Sequence, residues 1–253
     1  MRATTEGAAK TITAPKALPR LSAPEVNFAT IIVGSDQKRF VVHQGLLTHY
    51  SEFFRAALTG RFKEAEDKVV KLEDQSPRIF EVFVHWLYYQ RFPDADHNDG
   101  AEIIELFQDE ACLEKRYNSV GTLIKLYVFA DRHDVEKLRL ATINELFQRV
   151  LETVNCPHPT ATSIEFAFEH LDVGSPLCHF LADVTCYVDI LDPLDPDDVN
   201  SLPFMRMLWL RYKEMIGKAS RNDDELQLCD YHEHADKEER EECEAKREKE
   251  SSA

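Results

Sequence analysis

The sequence predicts an α+β fold, a small sheet covered by helices and followed by an all-helical extension. Residues 29–33, 39–42 and 68–72 are short segments rich in β-branched side chains and bounded by turn residues, the pattern of buried strands. Phe80, Phe83, Val84, Leu87 and Tyr88 recur at i, i+3, i+4, i+7 and i+8, which marks one unbroken helical face. Between the second and third strands, Leu46 and Leu47, then Phe54, Ala57 and Leu58, place two short helices in sequence.

In chain order, residues 1–26 carry Pro15, Pro19 and Pro24 without apolar periodicity and are expected to be a disordered leader. Arg2, Lys10, Lys16 and Arg20 in a Thr/Ala-rich context have some likeness to a transit peptide, but Glu6 and Glu25 and the prolines argue against it. Gly34, Ser35, Asp36 and Gln37 are turn chemistry and make 39–42 the hairpin partner of 29–33. Ser51 is a good N-cap type for the helix carrying Phe54, and Gly60 is placed to end it. Ser76 and Pro77 open the aromatic helix, with proline where a missing amide costs nothing. Residues 91–119 interrupt the pattern with a polar loop and a short helix expected at 103–113. Helical spacing resumes at Leu123, Leu126, Tyr127 and Ala130, and Asp134 is the expected cap of a helix burying Leu138, Leu140, Ile143, Phe147 and Val150. After a break at 156–159, residues 163–188 form one or two helices divided near 174–176. A second linker at 192–196 precedes an aromatic-rich final helix at 203–216, and acidic and basic side chains alternating at helical distances over 238–250 fit a solvated, helical extension. The expected organisation is a leader at 1–26, a domain at 27–150 with an insertion at 91–119, a helical extension at 151–220 and an acidic tail at 221–253.

A formal charge of -16 over 253 residues, with no basic stripe, argues against nucleic acid or an anionic membrane surface as partner. The six cysteines are widely scattered, unlike the framework of a small secreted fold. With neither a membrane-length apolar run nor a signal-peptide core, the expectation is a soluble, reduced, intracellular protein of cytoplasm or nucleus.

The order of elements resembles the BTB/POZ domain. Thr30-Ile31-Ile32-Val33-Gly34 is similar to that family's opening strand, and Phe40-Val41-Val42-His43 to its second. Leu46-Leu47 followed by Ser51-Glu52-Phe53-Phe54 resembles its leucine, serine, phenylalanine signature, and residues 80–89 its aromatic third helix. Leu123 to Asp131 with Val135-Glu136-Lys137-Leu138 fit the helical hairpin that closes the domain. Leu228-Cys229-Asp230-Tyr231-His232-Glu233-His234 is similar to stand-alone fungal BTB proteins with a helical C-terminal extension. The resemblance implies a small mixed sheet packed against a cluster of helices, and a role in protein–protein interaction rather than catalysis. Two departures are visible. Phe28 stands where the family usually has an aspartate, so the charged pocket of its transcription regulators is not implied. The proline-broken leader is a poor match to the swapped strand of its obligate dimers, although a homo-oligomer stays open.

Members that recruit cullin-type ubiquitin ligases use a hydrophobic–x–Glu triplet after the second helix pair, and Phe62-Lys63-Glu64 matches it. An exposed aromatic anchor beside a register-fixing carboxylate has the makings of a small hot spot. The plain alternative is that Phe62 packs back on the domain. Cys229, His232, His234 and Cys243 have the ligand chemistry of a structural zinc site. Ligands at i and i+2 cannot share one helical face, so an extended segment would be needed, and incidental histidines in an acidic tail are the alternative. His43 is expected to be a buried imidazole bonded to backbone. Cys178 and Cys186 read as buried thiols, and Trp86 as a packing surface for the C-terminal helices. No catalytic residue and no cofactor beyond that zinc is expected. The functional expectation is a substrate adaptor for a cullin-type ubiquitin ligase, with 91–119 as the client surface. A self-associating scaffold in a transcription or chromatin-linked complex and a small metalloenzyme on the Cys/His cluster are the other readings.

Overall fold

Strand β1 (Phe28–Val33) is the centre of the sheet. It pairs antiparallel with β2 (Lys38–His43), Phe28 opposite His43 and Val33 opposite Lys38, and parallel with β3 (Val69–Leu72), Thr30 opposite Val69. The order is therefore β2-β1-β3, a small mixed sheet. Ala29, Ile31 and Val33 are buried on one face, as the two-residue period of a strand requires. Gly34 turns the chain at φ 77°, and a side chain there would crowd Pro77 at 3.0 Å, so both backbone and space call for glycine. The computed structural model describes residues 17–108, 119–152, 159–187, 201–218 and 226–251. Most of the leader, the far part of the 91–119 insertion and the linker at 192–196 lie outside the described residues.

The helices follow the sequence closely in this first part. Helix α1 (Gln44–Tyr50) meets α2 (Glu52–Thr59) at Ser51, whose hydroxyl accepts from the Phe54 amide at 3.0 Å. The same hydroxyl donates to the His133 carbonyl at 2.6 Å. A short α3 (Lys63–Asp67) leads into β3, and α4 (Pro77–Tyr89) lies over the sheet with Phe80, Phe83 and Leu87 buried. Phe80 and Phe83 meet Phe129 at 6.1 and 4.9 Å between ring centroids, in the offset geometries that aromatic quadrupoles favour. Phe129 belongs to α6 (Val120–Arg132), which is buried nearly all round and so forms the axis of the helical layer. Helix α7 (Glu136–Phe147) returns against it.

Within the insertion, Arg91 Nη2 donates to Asp99 at 2.8 Å, Phe92 stacks on Phe107 at 5.5 Å, and Arg78 Nε donates to the Leu106 carbonyl at 2.8 Å. The helix expected at 103–113 is α5 (Ala101–Phe107), and residues 109–118 lie outside the described residues. The extension comprises α8 (Ala161–His170), α9 (Pro176–Tyr187) and α10 (Leu202–Lys218), the first capped by Thr160. Phe180 of α9 and Phe147 of α7 pack at 6.1 Å, so domain and extension share one hydrophobic core.

The charged stretch 238–250 is helical, within a fifteen-residue α11 (Lys237–Ser251) that follows a 3-10 turn at Leu228–Tyr231. Three local expectations are corrected. Asp134 does not cap α7. It sits at φ 51° in the turn, Val135 is the N-cap, and the Asp134 carbonyl instead accepts from the Glu52 amide. Leu140 is 44% exposed, since α7 turns that face away from the core. Trp86 is buried edge-on to Tyr50 at 5.6 Å, so it serves the α1–α4 contact rather than the C-terminal helices.

Two outcomes follow from the Ser51–His133 junction. Ser51→Ala removes the cap and the donor to a buried carbonyl, and chemical denaturation is expected to show a loss of about 2–3 kcal/mol. A midpoint unchanged from wild type would contradict the pairing. Burial lowers the His133 imidazole to about 4, although its hydrogen bond to the Phe129 carbonyl opposes the shift. Below about pH 6.5 the unfolded chain takes up a proton that the folded one refuses, so this residue's contribution is complete above that pH and is lost toward pH 4. Its ring proton resonance should therefore stay flat on acidification until near pH 5. Titration at the ordinary histidine value would contradict the buried placement.

Candidate functional site

The hydrophobic–x–Glu triplet stands where α2 hands over to α3. The C-cap of α2 is Gly60, whose amide donates to the Ala56 carbonyl. A side chain at Gly60 would run into that carbonyl oxygen and lie 3.4 Å from the Phe62 ring. The tight turn fixes where Phe62 leaves the domain. Phe62 is 65% exposed, and Lys63 and Glu64 are exposed with it. Beside the ring lies an open groove of about 480 Å³ lined by Phe53, Ala56, Ala57, Glu64, Val69 and Lys71, among others. Phe53 is 37% exposed and supplies a second aromatic wall. Sequence reasoning found the triplet but missed Phe53 and Ala56, which α2 exposes beside it.

The second candidate site is built by the C-terminal segment. Cys229 lies in the buried 3-10 turn, His232 ends that turn on extended backbone, the His234 ring lies 5.4 Å from the His232 ring, and Cys243 comes back from α11. Residues 232–234 are not helical, so the objection that i and i+2 cannot share a helical face does not apply to this pair. One ligand atom from each of the four lies within 4.8 Å of every other. Cys243 Sγ is 3.4 Å from His232 Nδ1. On the other side of that ring, Nε2 donates to Asn144 Oδ1 at 2.7 Å, the only direction open because an amide oxygen is an acceptor. His234 Nε2 is buried with no hydrogen-bond partner among the described residues. Burial, with Cys243 close by, pushes the Cys229 thiol up to about 11, and burial beside His234 takes His232 down to about 4.

The segment is held in place around the cluster. Glu233, pointing away, pairs with Arg139 of α7 at 2.7 Å, and Arg139 also reaches Asp131 at 2.9 Å. Tyr231 packs on Phe180 at 5.2 Å and donates its hydroxyl to Asp183 at 3.0 Å, where Arg211 Nε also binds at 2.8 Å. Burial raises the Asp183 carboxyl, with Arg211 and Tyr231 working against it. None of these partners was legible in the sequence, since Asn144, Asp183 and Arg211 lie far away along the chain.

The remaining singled-out residues settle as structural. His43 is half-buried and its Nδ1 meets the Tyr88 hydroxyl at 2.6 Å, so its partner is a side chain and not the backbone. Phe28 is half-exposed and packs on that imidazole at 4.5 Å. Cys178 is fully buried and Cys186 partly so; burial raises both thiols, the latter to about 11. Among the described residues, no helix is long and apolar enough to cross a membrane.

The fold is a three-stranded mixed sheet under a helical layer closed by the α6–α7 hairpin. The family model of the BTB/POZ domain matches residues 22–115, and the chain carries a BTB/POZ domain. Among proteins it resembles, "Kelch repeat and BTB domain-containing protein 4" of Mus musculus is 27% identical over 159 residues, covering 57% of this chain and 30% of that protein. The Homo sapiens protein of the same name is 26% identical over the same length. "BTB and MATH domain-containing protein 15" of Caenorhabditis elegans is 26% identical over 131 residues, 48% of this chain and 47% of that one. The matched stretch spans less than half the length of each relative. These are animal proteins, and they do not bear on the likeness to fungal proteins drawn from the C-terminal segment.

The Tyr231 anchor yields a specific expectation. Tyr231→Phe keeps the ring but takes one donor from the largely buried Asp183, and urea denaturation should report a loss of about 1–3 kcal/mol. If the variant proves as stable as wild type, the hydroxyl does not hold the C-terminal segment.

Proposed function

We propose that this chain is a non-enzymatic adaptor whose groove beside Phe62 docks a cullin-type scaffold of a ubiquitin ligase. The observation that carries the reading is the exposure of Phe62. At 65% accessible it contributes little to the core, yet it stands with Phe53 over an open groove and with Glu64 at the rim. Burying such a ring against a partner is worth about 1.5–3 kcal/mol, and a flanking carboxylate sets register. The triplet's likeness to cullin-recruiting BTB domains gives the partner class, and relatives named for BTB together with Kelch repeats or a MATH domain agree with an interaction module.

The client surface is proposed to lie on the insertion. Its described part is tied down by Arg91–Asp99 and Phe92–Phe107, so Asp94 and Asp96 are presented from an ordered platform. Acidic groups on an anchored loop favour a basic client segment.

Capture of a purified cullin N-terminal domain tests the docking. Phe62→Ala and Glu64→Ala are each expected to weaken capture, the phenylalanine change by about 30-fold, which corresponds to a hot spot of about 2 kcal/mol. Both positions are exposed, so the variants should keep the wild-type melting temperature. Absence of capture by the wild-type chain, or equal capture by the variants, overturns the adaptor reading. A stable homo-oligomer indifferent to both changes would favour a scaffold instead.

A further inference from the structure

We propose that Cys229, His232, His234 and Cys243 bind one zinc ion as a closed structural site that fastens the C-terminal segment to the domain. In a tetrahedral Cys₂His₂ centre the ligand atoms lie about 3.3–3.8 Å apart, from metal–sulfur bonds near 2.3 Å and metal–nitrogen bonds near 2.0 Å. The 3.4 Å between Cys243 Sγ and His232 Nδ1 already meets this, and the whole set lies within 4.8 Å. Small side-chain rotations complete the tetrahedron.

Three features beyond proximity point to a metal. The Asn144 carbonyl oxygen holds His232 in the tautomer whose Nδ1 lone pair faces Cys243, the outer contact by which metal-binding histidines are commonly oriented. His234 Nε2 is buried without a partner among the described residues, which costs free energy unless something takes up its lone pair. The 3-10 turn supplies Cys229, the non-helical stretch after it His232 and His234, and α11 Cys243, so one short segment brings all four donors together. Asp236 opens α11 by accepting from the Glu239 amide at 2.9 Å, and Arg240 pairs with Glu244 within that helix and reaches back to Asp230 outside it. Cys243 is thus held on a helix whose start is itself fixed.

Two thiolates and two imidazoles select a borderline-soft ion, and four protein donors leave no open coordination position for a substrate water. Binding releases the two thiol protons, and the dication with two thiolates gives a neutral centre suited to partial burial. Because Asn144 and Arg139 belong to α7 while Tyr231 reaches Asp183 of α9, the ion would lock the domain's closing hairpin, the extension and α11 into one body.

The test uses the intact chain, exposed to equimolar zinc and then desalted. Elemental analysis is expected to find one zinc per chain in the wild type and in Cys178→Ser, a cysteine outside the cluster, and almost none in Cys243→Ser or His234→Asn. Both latter positions are only half-buried. Cobalt substitution of the wild-type chain gives a readout independent of any variant, namely thiolate charge-transfer bands and the intense d–d bands of a tetrahedral ion. Removal of the metal should make residues 226–251 sensitive to protease while residues 28–147 stay resistant. A wild-type chain that retains no zinc, retains it equally in both variants, gives an octahedral cobalt spectrum or carries a Cys229–Cys243 disulfide overturns the proposal.

Discussion

The structure depends on a single buried hydroxyl at the corner between α1 and α2. Ser51 accepts from the Phe54 amide and donates to the His133 carbonyl, 82 residues away. The first bond starts α2 where it must start for Phe54 and Leu58 to face inward. The second ties that corner to the α6–α7 turn, where Glu52 also donates to Asp134. His133 lies at 4.2 Å on Phe129, the ring that α4 packs against, so sheet cover and helical hairpin meet at one point. A buried hydroxyl satisfied in both roles contributes, whereas a hydroxyl with one role lost leaves a polar group unpaired in the core.

Both candidate sites are consequences of that corner. Helix α2 ends at Gly60, and the direction in which it ends decides that Phe62 stands over the groove and not under it. On the far side of the junction, α7 carries Asn144 and Arg139, the residues that receive His232 and Glu233. The groove needs the domain alone. The Cys/His cluster needs the domain, the extension and the last helix together, because its donors sit on the C-terminal segment and its supports on α7 and α9.

Much of the stretch 28–89 was legible, because each signal there is local. Alternating Ala29, Ile31 and Val33, the Ser51 cap, the Ser76-Pro77 start and the Phe80 to Tyr88 face each act within a few residues of themselves. The failures are where distant partners decide. Asp134 has good capping chemistry, but the turn between α6 and α7 puts it at positive φ and gives its carbonyl to Glu52. Leu140 fits a helical face, yet α7 is covered over only part of its circumference. His43 turned out to answer to Tyr88, 45 residues on. Cys229, His232, His234 and Cys243 could be named from the sequence, but that the fold gathers one atom of each within 4.8 Å of the others could not be read from their irregular spacing. Whether Phe62 faced outward could not be read from its neighbours at all.

The central functional claim is that the Phe53–Lys71 face, and not another surface, meets the partner. Amide hydrogen exchange of the intact chain, with and without a saturating cullin N-terminal domain, tests this directly. The account predicts new protection in peptides covering residues 53–71, with α7 and the C-terminal segment unchanged. Protection confined to the insertion or to α10, with residues 53–71 exchanging as in the free chain, would contradict it.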